Sequence, residues 1–134
     1  MQSFAEVCEK IAGTTKKLEK VAIVADFLKS CTPEDAAAAA VFLSGRPFPV
    51  WEETTLQVGG TALWRVMTEI AAKSDAEVSA AYRKYGDLGA AAAEILPDRN
   101  LSVDLATSEV EKRFRAIAAT RGPAAKQALV HELL

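Results

Sequence analysis

One histidine and two cysteines are all that 134 residues offer of the side chains on which most metal and thiol chemistry depends. His131 stands near the end of the chain with no cysteine or serine arrangement beside it, so neither a metal set nor a nucleophilic triad is available. Cys8 and Cys31 fall in apolar helical registers without paired metal-ligand spacing, which points to a reduced, cytoplasmic setting. The longest apolar run, Ala36–Leu43, is far short of the roughly eighteen residues of a membrane span. The opening MQSFAEVCEK has no basic start before an apolar stretch, so no signal peptide is expected. Gly59-Gly60-Thr61 lacks the GK[ST] ending of a phosphate-binding Walker loop. The acid pairs Glu34-Asp35 and Glu52-Glu53 read as solvated or dipole-facing groups rather than as acid/base partners. No catalytic residue and no metal site is expected.

What the chain has in quantity is helix-forming sequence, with no alternating β pattern longer than a few residues. Ser3 and Glu6 suggest a capping box ahead of a buried stripe of Phe4, Val7, Cys8 and Ile11. A turn at Gly13–Thr15 leads to a second helix with Leu18, Val21, Ala25 and Leu28 inward. Thr32-Pro33-Glu34-Asp35 opens a third, with an N-cap, a proline at the first helical position and acids facing the dipole. After the Pro-containing connection Ser44–Thr55, Gly59-Gly60 introduces a helix with Leu63, Val66, Met67 and Ile70 on its inner face. Ser74 and Glu77 repeat the capping box before Val78, Ala81, Tyr82 and Tyr85. Gly86 stops that helix, Asp87 caps the next, which runs to Pro97, and Gly89 allows a tight approach; a phosphate site at this helix start is the alternative. A polar stretch, Asp98–Thr107, precedes a helix with Val110, Phe114 and Ile117. Trp64 and Tyr82 are expected in the core, while Trp51 is compatible with core or surface. The alanines at 36–40 and 90–93 suit close helix approach. The expected fold is all-α, an orthogonal helical bundle in one domain.

The most informative feature is a repeat. IAGTTKKLEKVAIVADFL at 11–28 recurs as IAATRGPAAKQALVHELL at 117–134, with seven identities in eighteen positions where about two are expected by chance. An offset of 106 residues fits no solenoid period. Two similar hairpins flanking a folded middle suggest a pseudo-twofold pair of surfaces, suited to a nearly twofold ligand such as duplex nucleic acid. Net charge is −2, yet nine of the sixteen cations (Lys10, Lys16, Lys17, Lys20, Lys112, Arg113, Arg115, Arg121 and Lys126) lie in the repeats or the helices leading into them. Each turn brings cationic or small residues to a helix start, where unpaired backbone N–H groups and the dipole favour a phosphate. The candidate contacts are Thr14, Thr15, Lys16, Lys17 and Lys20 at the first turn, and Thr120, Arg121, Gly122, Ala124 and Lys126 at the second. Such contacts grip backbone without reading bases.

FAEVCEKIAGTTKKLEKVAIVADFL (4–28), TLQVGG with the following LW (55–64), YRKYGDLGAAAAEIL (82–96) and FRAIAATRGPAAKQALVHELL (114–134) resemble, in this order and over almost the whole chain, the N-terminal DNA-binding domain of ATP-dependent DNA ligases. GDLG followed by an alanine-rich helix is the most specific element. The resemblance implies sequence-independent binding of nicked duplex DNA through its minor groove, in repair, replication or recombination, with phosphate contacts on the two turns. It also implies a parent enzyme that uses ATP and Mg, with a nucleotidyltransferase domain and an OB-fold as partners. The family's lysine-x-Asp-Gly motif does not occur here, and the family's domain usually continues past the position of Leu134. Residues 1–134 are therefore expected to be a truncated, non-catalytic N-terminal part of a cytoplasmic, nucleoid-associated ligase, with no membrane contact. The alternative is a helical protein–protein interaction module without nucleic-acid binding.

Overall fold

The helical periodicity of the sequence is realised as eight α-helices, with no strand, among residues 1–96 and 104–134 that the computed structural model describes. They are α1 (Gln2–Ala12), α2 (Lys17–Ser30), α3 (Pro33–Leu43), α4 (Gly60–Ala71), α5 (Asp75–Tyr85), α6 (Leu88–Ile95), α7 (Thr107–Ala119) and α8 (Pro123–Leu133). The all-α class is the one expected. The chain forms two compact units, one of Met1–Leu56 with Ser102–Ala118 and one of Gln57–Leu101 with Ala119–Leu134.

In the first unit α1 packs on α2 and α2 on α3. Phe4 meets Phe27 and Phe42, each at 6.1 Å between ring centroids, and Phe42 meets Phe114 of α7 at 5.5 Å. Tilted and edge-on ring pairs of this kind contribute about 0.5–1.5 kcal/mol each beyond the area they bury. Ala38 and Ala39 are fully buried on α3, where the absence of bulk lets neighbouring helices come close. Asp35 ties α7 to α3. Thr107 donates its hydroxyl to the Asp35 backbone carbonyl (2.9 Å), and the Ser108 backbone N–H donates to the Asp35 carboxylate (3.0 Å). Thr32 caps α3 by accepting the Asp35 N–H at 3.2 Å, and its hydroxyl donates to the same carboxylate at 2.9 Å. These donors, the Ser108 N–H foremost, hold the Asp35 carboxyl down at about 2.

In the second unit α4 packs on α8 and on α5, and α5 on α6, around Val66, Met67, Ile70, Val78, Ala81, Ala91 and Val130. The Ser74–Glu77 capping box forms in full at the start of α5. Gly86 ends that helix at φ +65°, a conformation an L side chain resists, and the Asp87 carboxylate accepts the Ala90 N–H at 2.8 Å to start α6. A Cβ on Gly89 would lie 3.2 Å from that same carboxylate, so the close approach read from the sequence is to the cap itself. Glu94 of α6 accepts from Lys84 Nζ (2.5 Å) and the Tyr85 hydroxyl (2.6 Å), closing the α5–α6 pair.

Several expectations are corrected. α1 starts at Gln2 without a side-chain cap, because the Gln2 N–H is taken by the distant Asp104 carboxylate at 2.8 Å, and Ser3 is already inside the helix. Cys8 is exposed; Val7 carries the burial on α1. Leu18 and Val21 do not point inward but are 85% and 63% exposed, and no residue of α2 is fully buried. Tyr82 and Tyr85 are also exposed, since α5 turns Val78 and Ala81 to the core and leaves Tyr82 edge-on to Trp64 at its rim. The second copy of the repeat is divided, with α7 in the first unit, up to Ala118, and α8 in the second, packed on α4. The helix end at Pro97 and most of the polar stretch 98–107 lie outside the described residues.

The Asp35 contacts make the first unit acid-sensitive in a defined window. The folded-state value lies below the ordinary one of about 3.9, so the stabilisation is complete above about pH 4 and is lost as pH falls towards 2. Asp35→Asn should lower the thermal midpoint near neutrality, and its deficit relative to wild type should shrink as pH falls from about 4 to about 2. Circular dichroism melts across that range measure the difference.

Candidate nucleic-acid interface

The turn between α1 and α2 carries the first set of expected phosphate contacts. Gly13 ends α1, and Lys16 takes the N-cap position of α2 in an extended conformation with no side-chain cap. The amides of the first helical turn, from Lys17 onward, therefore have no intramolecular side-chain acceptor of the capping kind. Lys16 and Lys17 are exposed and Lys20 is half-buried. Thr14 is not idle. Its hydroxyl accepts the Lys16 N–H (3.3 Å) and donates to Glu19 (2.7 Å), which shapes the turn and holds that acid against it. Thr15 is exposed beside it.

At the second turn Gly122 is the N-cap of α8 with φ +89°, again without a side-chain cap, and Pro123 occupies the first helical position where no N–H is needed. Arg121 and Ala124 are exposed, and Thr120 is half-buried. Lys126 departs from expectation. It is only 8% exposed, because position 126 falls on the buried side of α8, four residues before the buried Val130. It belongs to the packing of the helix rather than to an open cationic surface. α4 also begins without a side-chain cap, behind Gly59, but has no cation in its first turn. At the starts of α3, α5 and α6, by contrast, a cap side chain already accepts one first-turn amide, that of Asp35, Glu77 and Ala90 respectively.

Arg115 also leaves the set of available cations. Its guanidinium donates to both oxygens of Glu52 (2.8 and 3.1 Å) and to a second carboxylate, Glu111, at 2.7 Å. It lies 5.3 Å over the ring of Phe48, which is buried. Glu52 is held below, and Arg115 above, its usual ionisation range by this pairing. The clamp anchors the turn Pro49–Glu52, closed by the Glu52 N–H to Pro49 carbonyl bond at 3.0 Å. Val50 and Trp51 are left outside it, Trp51 at 81% exposure, which resolves the open reading of that residue in favour of the surface.

Among the described residues no three of His, Cys, Asp and Glu stand together as a metal set, and no helix is long and apolar enough to cross a membrane. Nor does the chain contain the lysine-x-Asp-Gly motif that would hold a nucleotide.

Two helix starts with open amides and exposed cations are compatible with many anions. A model of the family described as DNA ligase N terminus matches residues 1–134. The chain belongs to that family. A probable DNA ligase of Koribacter versatilis is 49% identical over 137 residues, covering all of this chain and 23% of that protein. A probable DNA ligase of Opitutus terrae is 35% identical, covering 92% of this chain and 12% of its own. A DNA ligase of Methanopyrus kandleri is 30% identical, with 92% and 23% covered. The chain spans about a quarter or less of the length of the curated relatives it matches.

Within this ligase N-terminal unit, Arg115 and the two turns separate in what a substitution does. Arg115→Ala should lower the thermal midpoint by a few degrees, the scale of a well-formed bidentate surface pair, and leave any dependence of DNA binding on salt unchanged. Lys126→Ala should destabilise as well, since it removes a buried stem. Melting curves and salt titrations of the two variants check both statements.

Proposed function

We propose that this chain holds duplex DNA, nicked in the working substrate, for an ATP-dependent ligase, gripping the phosphate backbone along the minor groove without reading bases. The observation that carries this reading is the start of α2. Lys16, Lys17 and Lys20 cluster at an uncapped helix N-terminus and form no ion pair among the described residues, in a chain that belongs to the DNA ligase N-terminus family. Helix-start amides and the dipole attract a phosphate, and the lysines add charge that neutral caps do not supply. Thr120, Arg121, Gly122 and Ala124 form the second contact, Gly122 by its backbone geometry and Arg121 by its charge. The chemistry belongs to parts of the enzyme outside these residues: a nucleotidyltransferase domain and an OB-fold, using ATP and Mg. The work of residues 1–134 is affinity and placement in repair, replication or recombination, in the cytoplasm at the nucleoid.

Val50 and Trp51, held outward on a clamped turn, favour a second reading, docking on a protein partner through apolar contact. Salt separates the two, since phosphate contacts release counterions and apolar contacts do not. The 134-residue chain should bind labelled duplex with a dissociation constant of about 10⁻⁴ to 10⁻⁶ M near physiological salt. Lys16→Ala with Lys17→Ala should weaken binding equally on unrelated sequences and reduce the slope of log affinity against log salt by about 0.9 for each phosphate no longer neutralised. Arg121→Ala should act likewise, with Lys73→Ala and Lys84→Ala as controls. Equal losses from the controls would assign the binding to diffuse charge and remove the two turns from the interface.

A further inference from the structure

α2 presents an apolar pair where its sequence pattern suggested core. Leu18 and Val21 are 85% and 63% exposed, one turn apart at the start of the helix. At about 100° per residue, Lys20, Lys17, Val21 and Leu18 follow one another around the helix within an arc of about 160°. The acids of α2, Glu19 and Asp26, project from the opposite side. Glu19 is turned back to Thr14, and Asp26 shares a cleft of about 350 Å³ with Val7 and Lys10 of α1. One side of α2 thus faces α1 and carries the helix's negative charge, while the other, over the first turn of the helix, combines exposed Lys17 and half-buried Lys20 with two large aliphatic side chains that are in water. A surface of that composition matches a partner with apolar walls bordered by negative charge. The groove of a nucleic-acid duplex is built this way, with deoxyribose carbons forming its walls and phosphates its edges, and apolar side chains are a recurrent means of engaging it.

We infer that Leu18 and Val21 enter the minor groove of the bound duplex and pack on its sugar walls, between phosphates held by Lys16, Lys17 and Lys20. The inference rests on the duplex-binding reading above and adds to it the contact that fixes the depth of the helix in the groove. Lysine contacts alone leave that depth to long, mobile side chains. Two short aliphatic groups on the helix itself set a fixed distance between its axis and the groove wall, and their removal from water adds affinity that salt does not screen.

Leu18→Ser with Val21→Ser, in the 134-residue chain, tests this by fluorescence anisotropy with labelled duplex. The double variant should bind about 5- to 30-fold more weakly, the scale of partial burial of two aliphatic side chains, with the salt slope of wild type. Leu18→Met with Val21→Ile, which keeps the apolar surface, should restore most of the affinity. Melting midpoints equal to or above wild type, expected where both side chains are already in water, show that the fold is not the cause. Wild-type affinity in the serine variant, while Lys16→Ala with Lys17→Ala weakens binding, overturns the inference and leaves the duplex-binding reading standing. A reduced salt slope in the serine variant also overturns it, because the two side chains would then act only by positioning lysines. Failure of wild type to bind duplex at low salt overturns both. If instead sedimentation shows wild-type self-association that the serine variant abolishes without a change in DNA binding, the apolar pair belongs to a protein contact and the inference falls.

Discussion

The carboxylate of Asp35 determines where α7 sits, and the first unit depends on that placement. α1, α2 and α3 are consecutive and meet through short turns, but α7 arrives after a separation of 72 residues, and nothing local directs it. Its N-terminal amides need acceptors, and the Asp35 side chain supplies one to Ser108 while its backbone carbonyl receives Thr107. With that end fixed, Phe114 reaches Phe42, Ile117 is enclosed and Arg115 meets Glu52. A hydrogen-bonded end and a packed middle define one position for a helix more narrowly than apolar burial does, since burial alone tolerates sliding along the contact.

The same residue marks the limit of what could be read from sequence. Thr32, Pro33, Glu34 and Asp35 were legible as a helix start because capping is a local rule. The start of α3, the capping box of α5 and the Gly86–Asp87 junction all follow it. That Asp35 also caps a helix 72 residues away has no local signature. Arg115 escaped for the same reason. Counted with the repeat, it looked like part of a cationic surface, whereas Glu52 in a distant loop consumes its charge. Asp104 replaced the expected Ser3–Glu6 box at the start of α1 by the same kind of contact. Charge clusters in sequence count groups; only the fold shows which have already found partners.

The candidate contact residues were legible unequally. Lys16 and Lys17 stay exposed at an uncapped helix start, as the turn chemistry suggested. Lys126 does not: it aligns with Lys20 of the other copy, but matched letters do not share an environment when α2 packs on α1 and α8 on α4. Both copies lead into a helix, at Lys17 and at Pro123, but the two helices do not share a burial pattern. The second copy runs from one unit into the other, so its two helices bury their apolar sides against different neighbours.

Leu18 and Val21 show the inverse case. Their spacing is that of a core stripe, yet α2 is covered along the side that bears Ile23 and Phe27, which join α1 in a shared cleft. α2 packs on α1 and α3, with Phe27 against Phe4 and with Val24, Ala25 and Leu28 half-buried, and this cover does not reach Leu18 and Val21 in its first turns. Leu18 and Val21 stay in water at a standing free-energy cost that any partner offering an apolar wall relieves. Beside three cations whose own preferred partner is a phosphate, that relief and the charge attraction draw on the same ligand. The pairing also divides the labour, with the lysines supplying long-range attraction and the aliphatic pair the contact at closest approach.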